Sequence, residues 1–274
     1  MHPGASKKSM REINIEELRE LQLGILDVVA EFCEKEHINY WLDCGTLLGA
    51  IRHKGYIPWD DDIDIGMLRP DYERFLKQFN GFNERYQVCA YECDTAFLYP
   101  FAKILDTNTI LYEPDENGNK LSVNIDLFVY DNAPEDPEQV KKMYAQRGRM
   151  QILHIVRNSL ASDKGSKVRR FLMDAGKIAL SVFPKDYFIR GMVNNSKKYA
   201  SENTTRVGNF TSVSKIVCDK TVFDSFILTD FESRRYRIPE RYDSWLKLFY
   251  GNYMQLPPKE KQVSHHAFVA YVKD

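Results

Sequence analysis

The stretch GYIPWDDDIDIGM, residues 55–67, places four aspartates within five positions. Its flanking residues are apolar, whereas a solvated acidic loop has mostly polar neighbours; they are Trp59, Ile63, Ile65 and Met67. Because side chains alternate faces along a strand, an extended segment over 60–67 places Asp62 and Asp64 on one face and Asp61 on the other. Two adjacent carboxylates repel each other unless a divalent cation lies between them, and such oxygen ligands suit Mg²⁺ or Mn²⁺. The stretch therefore predicts a metal site in which Asp61 matters less.

A second acidic feature is Asp126 in VNIDLFVYD, which has the apolar pattern of a strand. Asp126 would complete a three-carboxylate site with Asp62 and Asp64. Each acidic feature also has a simpler interpretation. Asp126 could be a strand-edge residue bonded to nearby backbone. The aspartates at 60–64 could form a solvated turn in which one of them caps the next helix. An EF-hand also begins D-x-D-x-D, but Ile65 and Asp71 stand where it requires glycine and glutamate.

The elements around these aspartates alternate between helix and strand. The apolar spacing over 15–32, with Asn14 and Glu17 as a capping pair, predicts an amphipathic helix. INYWLDCG predicts a short buried strand ending at Gly45, and TLLGAIRHKG predicts a short helix closed by Gly55. Further strands are predicted in YQVCAYE, YPFAKILD, TILYE and LSVNIDLFVYD, with a hairpin turn at PDENGNK.

The composition excludes several classes of function. Lysine and arginine total 38 against 39 acidic residues, so no overall field favours nucleic acid. Five cysteines without a CxxC spacing indicate neither a disulfide framework nor a zinc site and favour a reducing, cytoplasmic location. No apolar run approaches the roughly 20 residues that span a bilayer. We therefore expect a soluble protein, with peripheral membrane contact left open.

The segment that contains the acidic stretch, WLDCGTLLGAIRHKGYIPWDDDIDIGM, resembles the signature of the LicD family of phosphocholine transferases. This family is distantly related to the fukutin-related proteins. FAKILDTNTIL, VNIDLFVYD and YGNYMQLPP are similar to further family segments. The order of elements also resembles the nucleotidyltransferase fold, which implies an α/β (α+β) chain with a mixed sheet core. The resemblance implies that Asp62, Asp64 and Asp126 bind Mg²⁺. It also implies that Gly45 and Thr46 contact the donor diphosphate.

The reaction that this resemblance implies is transfer of phosphocholine from CDP-choline to a sugar hydroxyl, with release of CMP. The acceptor would be a lipid-linked glycan precursor of teichoic acid or lipopolysaccharide type, met in the cytoplasm at the inner face of the membrane. We assign Asp126 as the base that accepts the hydroxyl proton. Alternatives are a nucleotidyltransferase with a small acceptor, transfer of glycerol or ribitol phosphate from a CDP donor, and a non-catalytic metal-binding scaffold.

Cationic residues supply candidates for binding the donor phosphates. Arg52, His53 and Lys54 form a local positive patch before the acidic turn, although charges at a helix end are often merely solvated. Lys103 is a second candidate on a nearby strand, where an exposed structural lysine is an equally good interpretation.

Three further residues are candidates for substrate contacts. His265 and His266 near the C-terminus are candidate phosphate ligands or an alternative base, and surface histidines are the simpler interpretation. Trp59 is a candidate for packing on the choline headgroup by a cation–π contact, although aromatics beside short strands usually belong to the core.

The chain divides into three predicted parts. Residues 1–12 are expected to be a disordered tail or an expression remnant. Residues 13–136 form the predicted catalytic core. Beyond a soft boundary at Pro137, residues 137–274 are predicted to be a mostly helical, acceptor-side region packed on that core. The oligomeric state leaves no signature in the sequence.

Overall fold

The computed structural model describes residues 10–112, 120–158, 167–263 and 269–273. Its helices are α1 (Ile15–Lys35), α2 (Cys44–Arg52), α3 (Arg69–Gln78), α4 (Pro137–Asn158), α5 (Lys167–Leu180), α6 (Tyr187–Ser196) and α7 (Tyr242–Tyr250). Its strands are β1 (Met10–Glu12), β2 (Trp41–Leu42), β3 (Asp64–Leu68), β4 (Tyr86–Cys89), β5 (Ala102–Asp106), β6 (Thr109–Tyr112), β7 (Lys120–Leu121), β8 (Asn124–Ala133), β9 (Arg206–Gly208), β10 (Val217–Asp219), β11 (Phe226–Phe231), β12 (Arg234–Pro239) and β13 (Val269–Lys273).

The largest sheet is mixed and is organised around the long strand β8. β8 lies between β3, its parallel neighbour, and β5, its antiparallel neighbour, and its C-terminal end pairs antiparallel with β9. The sheet continues through β2 beside β3, β4 beside β5 and β10 beside β9. This arrangement of helices and a mixed sheet confirms the predicted α/β (α+β) class.

Helix α1 packs its apolar face against the sheet at β5 and β8. Its buried residues recur at helical spacing and include Leu18, Ile25 and Val29. The predicted cap is present: Asn14 Oδ1 accepts from the Glu17 amide at 2.8 Å, and Glu17 Oε2 accepts from the Asn14 amide at 3.1 Å. The start of α1 is therefore fixed by its own local sequence.

The strand predicted to run from residue 60 begins instead at Asp64, and residues 60–63 have no regular structure. Helix α1 provides the physical reason. Arg19 Nη2 donates to the Asp60 carbonyl at 2.5 Å, and Gln22 Nε2 donates to the Asp61 carbonyl at 2.9 Å. These carbonyls are bonded by helix side chains rather than by a neighbouring strand, so the segment is held as a loop.

A smaller sheet brings the two ends of the described chain together in the order β1, β13, β6, β7. Met10 pairs with Lys273 and Glu12 with Tyr271. The disordered tail predicted for residues 1–12 is therefore wrong for Met10–Glu12, whose partner strand lies too far along the chain for a local pattern to indicate. β6 and β7 pair antiparallel; residues 114–119 of the predicted turn PDENGNK lie outside the described residues, and its last residue, Lys120, begins β7.

The predicted boundary at Pro137 coincides with the start of α4. The helical character holds through α6, and the later region also supplies the strands β9–β13. β9 joins β8, and Trp245 of α7 is buried in the main core. The later region thus contributes directly to the sheet and core that position the candidate site. In the described ranges, no helix combines the length and apolar character needed to cross a membrane.

Candidate active site

The register of the central strands brings three functional side chains into one row. Asp64 of β3 is the direct partner of Asp126 on β8, and Asp126 is in turn the direct partner of Lys103 on β5. Direct partners on adjacent strands project to the same face of a sheet. The candidate site is therefore built on rigid strands, with Asp126 between a carboxylate and an ammonium group.

The turn from β2 into α2 fixes the start of β3. The Asp64 amide donates to Thr46 Oγ1 at 2.8 Å, and the Asp43 amide donates to the Asp64 carbonyl at 2.9 Å. Cys44 between them has a φ of 44°, which gives the sharp turn that the close contact needs. Gly45 and Thr46, predicted as a turn after the strand, lie in the first turn of α2. Their contact with a donor diphosphate stays a prediction.

The loop before β3 gathers three carboxylates. Ligand oxygens from Asp60, Asp61 and Asp62 lie within 4.8 Å of one another. The predicted separation of Asp61 from Asp62 on opposite faces is therefore wrong, because residues 60–63 are not a strand. The expectation that Asp61 matters less than Asp64 loses its basis with that alternation.

Like charges dominate the electrostatics around Asp64. Burial raises the pKa of the Asp64 carboxyl well above its usual range, and the negative charges of Asp62 and Asp126 raise it further. A cluster of hard carboxylate oxygens with mutual repulsion is the donor chemistry that a divalent cation such as Mg²⁺ requires. The residues present therefore fit the predicted cation, with Asp62, Asp64 and Asp126 as the proposed ligands.

Lys103 is buried, not exposed on its strand, and its ammonium group holds Asp126. Lys103 Nζ donates to Asp126 Oδ1 at 2.6 Å and to Asn124 Oδ1 at 3.0 Å. The same Nζ lies 5.3 Å from the ring centroid of Tyr99 and 5.5 Å from that of Phe101. These contacts fix the position of Lys103, so it orients the Asp126 carboxylate.

The other predicted donor-side residues lie in and after α2. Arg52 Nη1 donates to the Tyr253 carbonyl at 2.8 Å, and Arg52 Nε donates to His53 Nε2 at 2.9 Å. Burial and the Arg52 charge lower the pKa of His53, so His53 is mainly neutral near pH 7. Trp59 meets His53 edge to face at 6.3 Å between centroids, and Lys54 is exposed. The predicted contacts of these residues with substrate stay predictions.

The sequence interpretation missed several residues that surround this site. Asp43 is buried and accepts from the Tyr130 hydroxyl at 2.5 Å and from Trp245 Nε1 at 3.1 Å. Burial raises the pKa of Tyr250, and the nearby Cys44 and acidic side chains raise it further. Tyr250 is the first residue of YGNYMQLPP, and the similarity of that segment to the LicD family was the only sequence signal that pointed to it. His265 and His266 lie outside the described residues.

Substituting Gly45 tests whether Asp60 takes part in cation binding. A Cβ at Gly45 would stand 2.7 Å from Asp60 Oδ2, so Gly45→Ala must displace that carboxylate. We expect Mg²⁺ affinity, measured by calorimetry, to fall about tenfold, because one charged oxygen leaves the cluster. Gly148→Ala is the control, since its Cβ meets nothing within 4 Å, and its Mg²⁺ affinity should be unchanged. Equal Mg²⁺ affinity in both variants would remove Asp60 from the site.

Comparisons with known proteins identify the family. The LicD/FKTN/FKRP nucleotidyltransferase domain matches residues 37–157, which include the three predicted catalytic aspartates. The lipopolysaccharide cholinephosphotransferase LicD of Haemophilus influenzae is 31% identical over 270 residues, which cover 96% of this chain and 100% of that protein. The chain belongs to the LicD family. It is therefore an enzyme of a transferase family, as the sequence predicted.

A more distant relative shares only a short segment with this LicD family member. The human ribitol 5-phosphate transferase FKRP is 50% identical over 38 residues, which cover 14% of this chain and 8% of that protein. An uncharacterized protein of Rickettsia typhi, RT0683, is 36% identical over 104 residues, or 34% of each chain. The similarity to the Haemophilus protein thus extends over far more of the LicD family chain than either of these.

Proposed function

We propose that this enzyme transfers phosphocholine from CDP-choline to a sugar hydroxyl of a cell-surface glycan precursor and releases CMP. A lipopolysaccharide-type acceptor is favoured over a teichoic acid, because the relative that is similar over nearly the whole chain is named a lipopolysaccharide cholinephosphotransferase. The observation that carries the proposal is the row of Asp64, Asp126 and Lys103 beside the acidic loop.

In the proposed mechanism, the sugar hydroxyl attacks the choline-bearing phosphorus as the bond to CMP breaks. Asp62, Asp64 and Asp126 would hold Mg²⁺, which would offset charge on the transferred phosphoryl group and on CMP. Asp126 accepts the hydroxyl proton, and the bond from Lys103 Nζ to Asp126 Oδ1 orients that carboxylate. Thr46, by accepting from the Asp64 amide, keeps Asp64 at the start of β3.

The test is an assay of CMP release with CDP-choline, Mg²⁺ and deacylated lipopolysaccharide as the acceptor. We expect acceptor-dependent CMP release that stops when the Mg²⁺ is chelated. CDP-ribitol and CDP-glycerol serve as matched donors, and ribitol phosphate is the second candidate group because of the short FKRP match. Turnover with CDP-ribitol but not with CDP-choline would overturn the choline assignment and keep the transferase.

A nucleotidyltransferase reaction is distinguished by its ligand and product. Such an enzyme would release pyrophosphate from a nucleoside triphosphate, and CTP or ATP alone would then raise the melting temperature. We expect CDP-choline with Mg²⁺ to raise it more than either triphosphate does. Pyrophosphate release from CTP or ATP would contradict the proposed function.

A further inference from the structure

A cavity of about 670 Å³ opens beside the candidate active site, between the sheet and helices α4, α5 and α6. Its sheet side is aromatic and includes Tyr99, Phe101 and Phe128. Its helical side is basic, and the cationic lining residues are Arg147, Arg157, Lys177 and Lys185. None of the described residues that line it carries a carboxylate. In a chain with a net charge of −1, this is a local concentration of positive charge.

Two buried residues in the wall refine this chemistry. Arg147 is buried and donates from Nη2 to the Thr211 carbonyl at 3.2 Å, while its buried Nε has no acceptor among the residues that the structure describes. A buried guanidinium N–H without an acceptor is costly, so a ligand oxygen would stabilise it. Burial lowers the pKa of His154 to about 4, so this imidazole is neutral near pH 7 and contributes hydrogen bonding rather than charge.

The wall of the cavity adjoins the reaction centre on the Asp126 side. Phe128 follows Asp126 by two positions on β8 and therefore projects to the same face. Tyr99 and Phe101 pack on the ammonium of Lys103, which binds Asp126. The predicted donor contacts Gly45, Thr46 and Arg52 lie in α2, which packs on β3 at the other end of that row. A molecule in the cavity would thus approach Asp126 from the side away from α2.

We propose that this cavity is the acceptor subsite and that it takes a sugar carrying an anionic group, a phosphate or a carboxylate. The aromatic wall packs on the sugar ring, and Arg147, Arg157 and Lys185 bind the anion. The assignment as acceptor rests on the proposed transferase function, but binding of the anionic sugar is measured without turnover, so the two fail separately.

The test measures binding of deacylated lipopolysaccharide oligosaccharide by calorimetry, before and after phosphatase treatment and after reduction of its carboxylates. We expect the double variant Arg157→Gln, Lys185→Gln to bind the untreated oligosaccharide about tenfold or more weakly, because two charged contacts are lost. Its affinity for CDP-choline should stay within about twofold of the parent. Lys141→Gln, Lys142→Gln is the matched control, since both lysines lie exposed on α4 outside the cavity.

The ligand series identifies the anion and can overturn the proposal. Loss of affinity after phosphatase treatment assigns a phosphate, and loss only after carboxylate reduction assigns a carboxylate. Equal binding of all three oligosaccharides, or equal affinity of parent and double variant, overturns the subsite. A double variant that loses CDP-choline affinity instead would make the cavity the donor site, which also overturns it.

A separate feature, the exposed face of α5, supports a second inference. Phe171 and Ile178 are 71% and 74% exposed, and Val168 and Leu172 are similarly open. At 3.6 residues per turn, these four positions fall within an arc of about 120°, a width typical of an apolar stripe. The neighbouring face packs inward, since a Cβ at Gly176 would meet Val156 Cγ1 of α4 at 2.8 Å. The apolar stripe of α5 is therefore turned away from the protein.

The charge of α5 indicates what covers this stripe. Its sequence, KVRRFLMDAGKIAL, has four cationic residues against the single acid Asp174. A basic amphipathic helix of this kind complements an anionic bilayer, into whose headgroup region its apolar face can be buried. A second copy of the chain packed symmetrically on the same stripe would instead bring like charges together.

We infer that the stripe of α5 docks on an anionic membrane surface. The experiment is cosedimentation with vesicles of phosphatidylcholine alone and of phosphatidylcholine mixed with phosphatidylglycerol. We expect binding to the anionic vesicles, reduced by added salt, and a partition coefficient about tenfold lower for Phe171→Ser, Ile178→Ser. Leu228→Ser is the control, because Leu228 is 52% exposed on the β11–β12 hairpin.

Two outcomes would overturn the docking surface. The first is equal sedimentation of the parent with both vesicle types. The second is equal sedimentation of the parent and the double variant with anionic vesicles. Either result would show that α5 does not bind the membrane. Light scattering tests whether a second copy of the chain covers the stripe instead. If the parent is a dimer, Phe171→Ser, Ile178→Ser is a monomer and neither binds vesicles, the stripe is a dimer interface.

Discussion

Replacing Asp64 with Asn is expected to lower the rate of phosphocholine transfer by roughly 10³-fold or more, about 4 kcal/mol of barrier. Asp64 lies in the row with Asp126 and beside the acidic loop, so the substitution removes one negative charge and one carboxylate oxygen from the proposed metal site. Donor alignment and charge stabilisation are lost together. The measurement is acceptor-dependent CMP release at saturating CDP-choline.

The same substitution is expected to act in the opposite direction on stability without metal. The pKa of Asp64 is raised in the folded protein, first by burial and then by neighbouring carboxylates, so its ionised form near pH 7 opposes folding. Asp64→Asn removes that charge and should raise the melting temperature by a few degrees when the protein is measured with a chelator that removes Mg²⁺. Mg²⁺ should then stabilise the parent more than the variant.

The control for both effects is Asp224→Asn, because Asp224 is exposed and lies away from the row. Its transfer rate and its response to Mg²⁺ should match the parent. A variant Asp64→Asn that keeps more than about a tenth of the parent rate would exclude Asp64 as an essential ligand. A lower melting temperature of that variant in chelator would show that another cation, such as Lys103, already neutralises Asp64 in the folded protein.

Local signals in the sequence were sufficient for some elements. Helix α1 is specified by its own sequence. Asn14 and Glu17 cap its start, the apolar spacing after them sets its buried face, and the structure confirms both. The apolar run in VNIDLFVYD likewise predicts β8, a central strand that is buried on both faces over most of its length. Asp126 stands out against that background, which is why it was found from sequence.

Other features depend on contacts between distant residues and left no local signal. The 60–63 loop has a strand-like alternation, but Arg19 and Gln22, about forty positions earlier, donate to its Asp60 and Asp61 carbonyls. Lys103 has an ordinary strand position, and its burial follows from its register opposite Asp126. β9 and β10 are three residues each, too short for a period-two pattern to be read.

The largest expected loss of stability comes from the buried pair Arg69 and Asp131, which joins the start of α3 to the end of β8. Arg69 Nε donates to Asp131 Oδ1 at 2.6 Å and Nη2 to Oδ2 at 2.8 Å, a bidentate pair in which Asp131 is fully buried. Arg69→Met should lower the free energy of unfolding by about 3–5 kcal/mol, because it leaves a buried carboxylate without its partner. The melting temperature should fall by about 6 °C or more.

A double-mutant cycle separates the penalty of the unpaired charge from the value of the pair itself. Arg69→Met with Asp131→Leu replaces both charges by apolar groups, and it should recover most of the stability that Arg69→Met loses, by about 2 kcal/mol or more. Arg69→Lys should recover less, since an ammonium group cannot make the two parallel bonds. The free energies are measured by urea unfolding, with Lys247→Met as the control because its ion pair with Asp243 is exposed to solvent. The double variant could instead be as unstable as Arg69→Met. The loss of stability would then come from packing of the arginine stem and not from an unpaired Asp131 carboxylate.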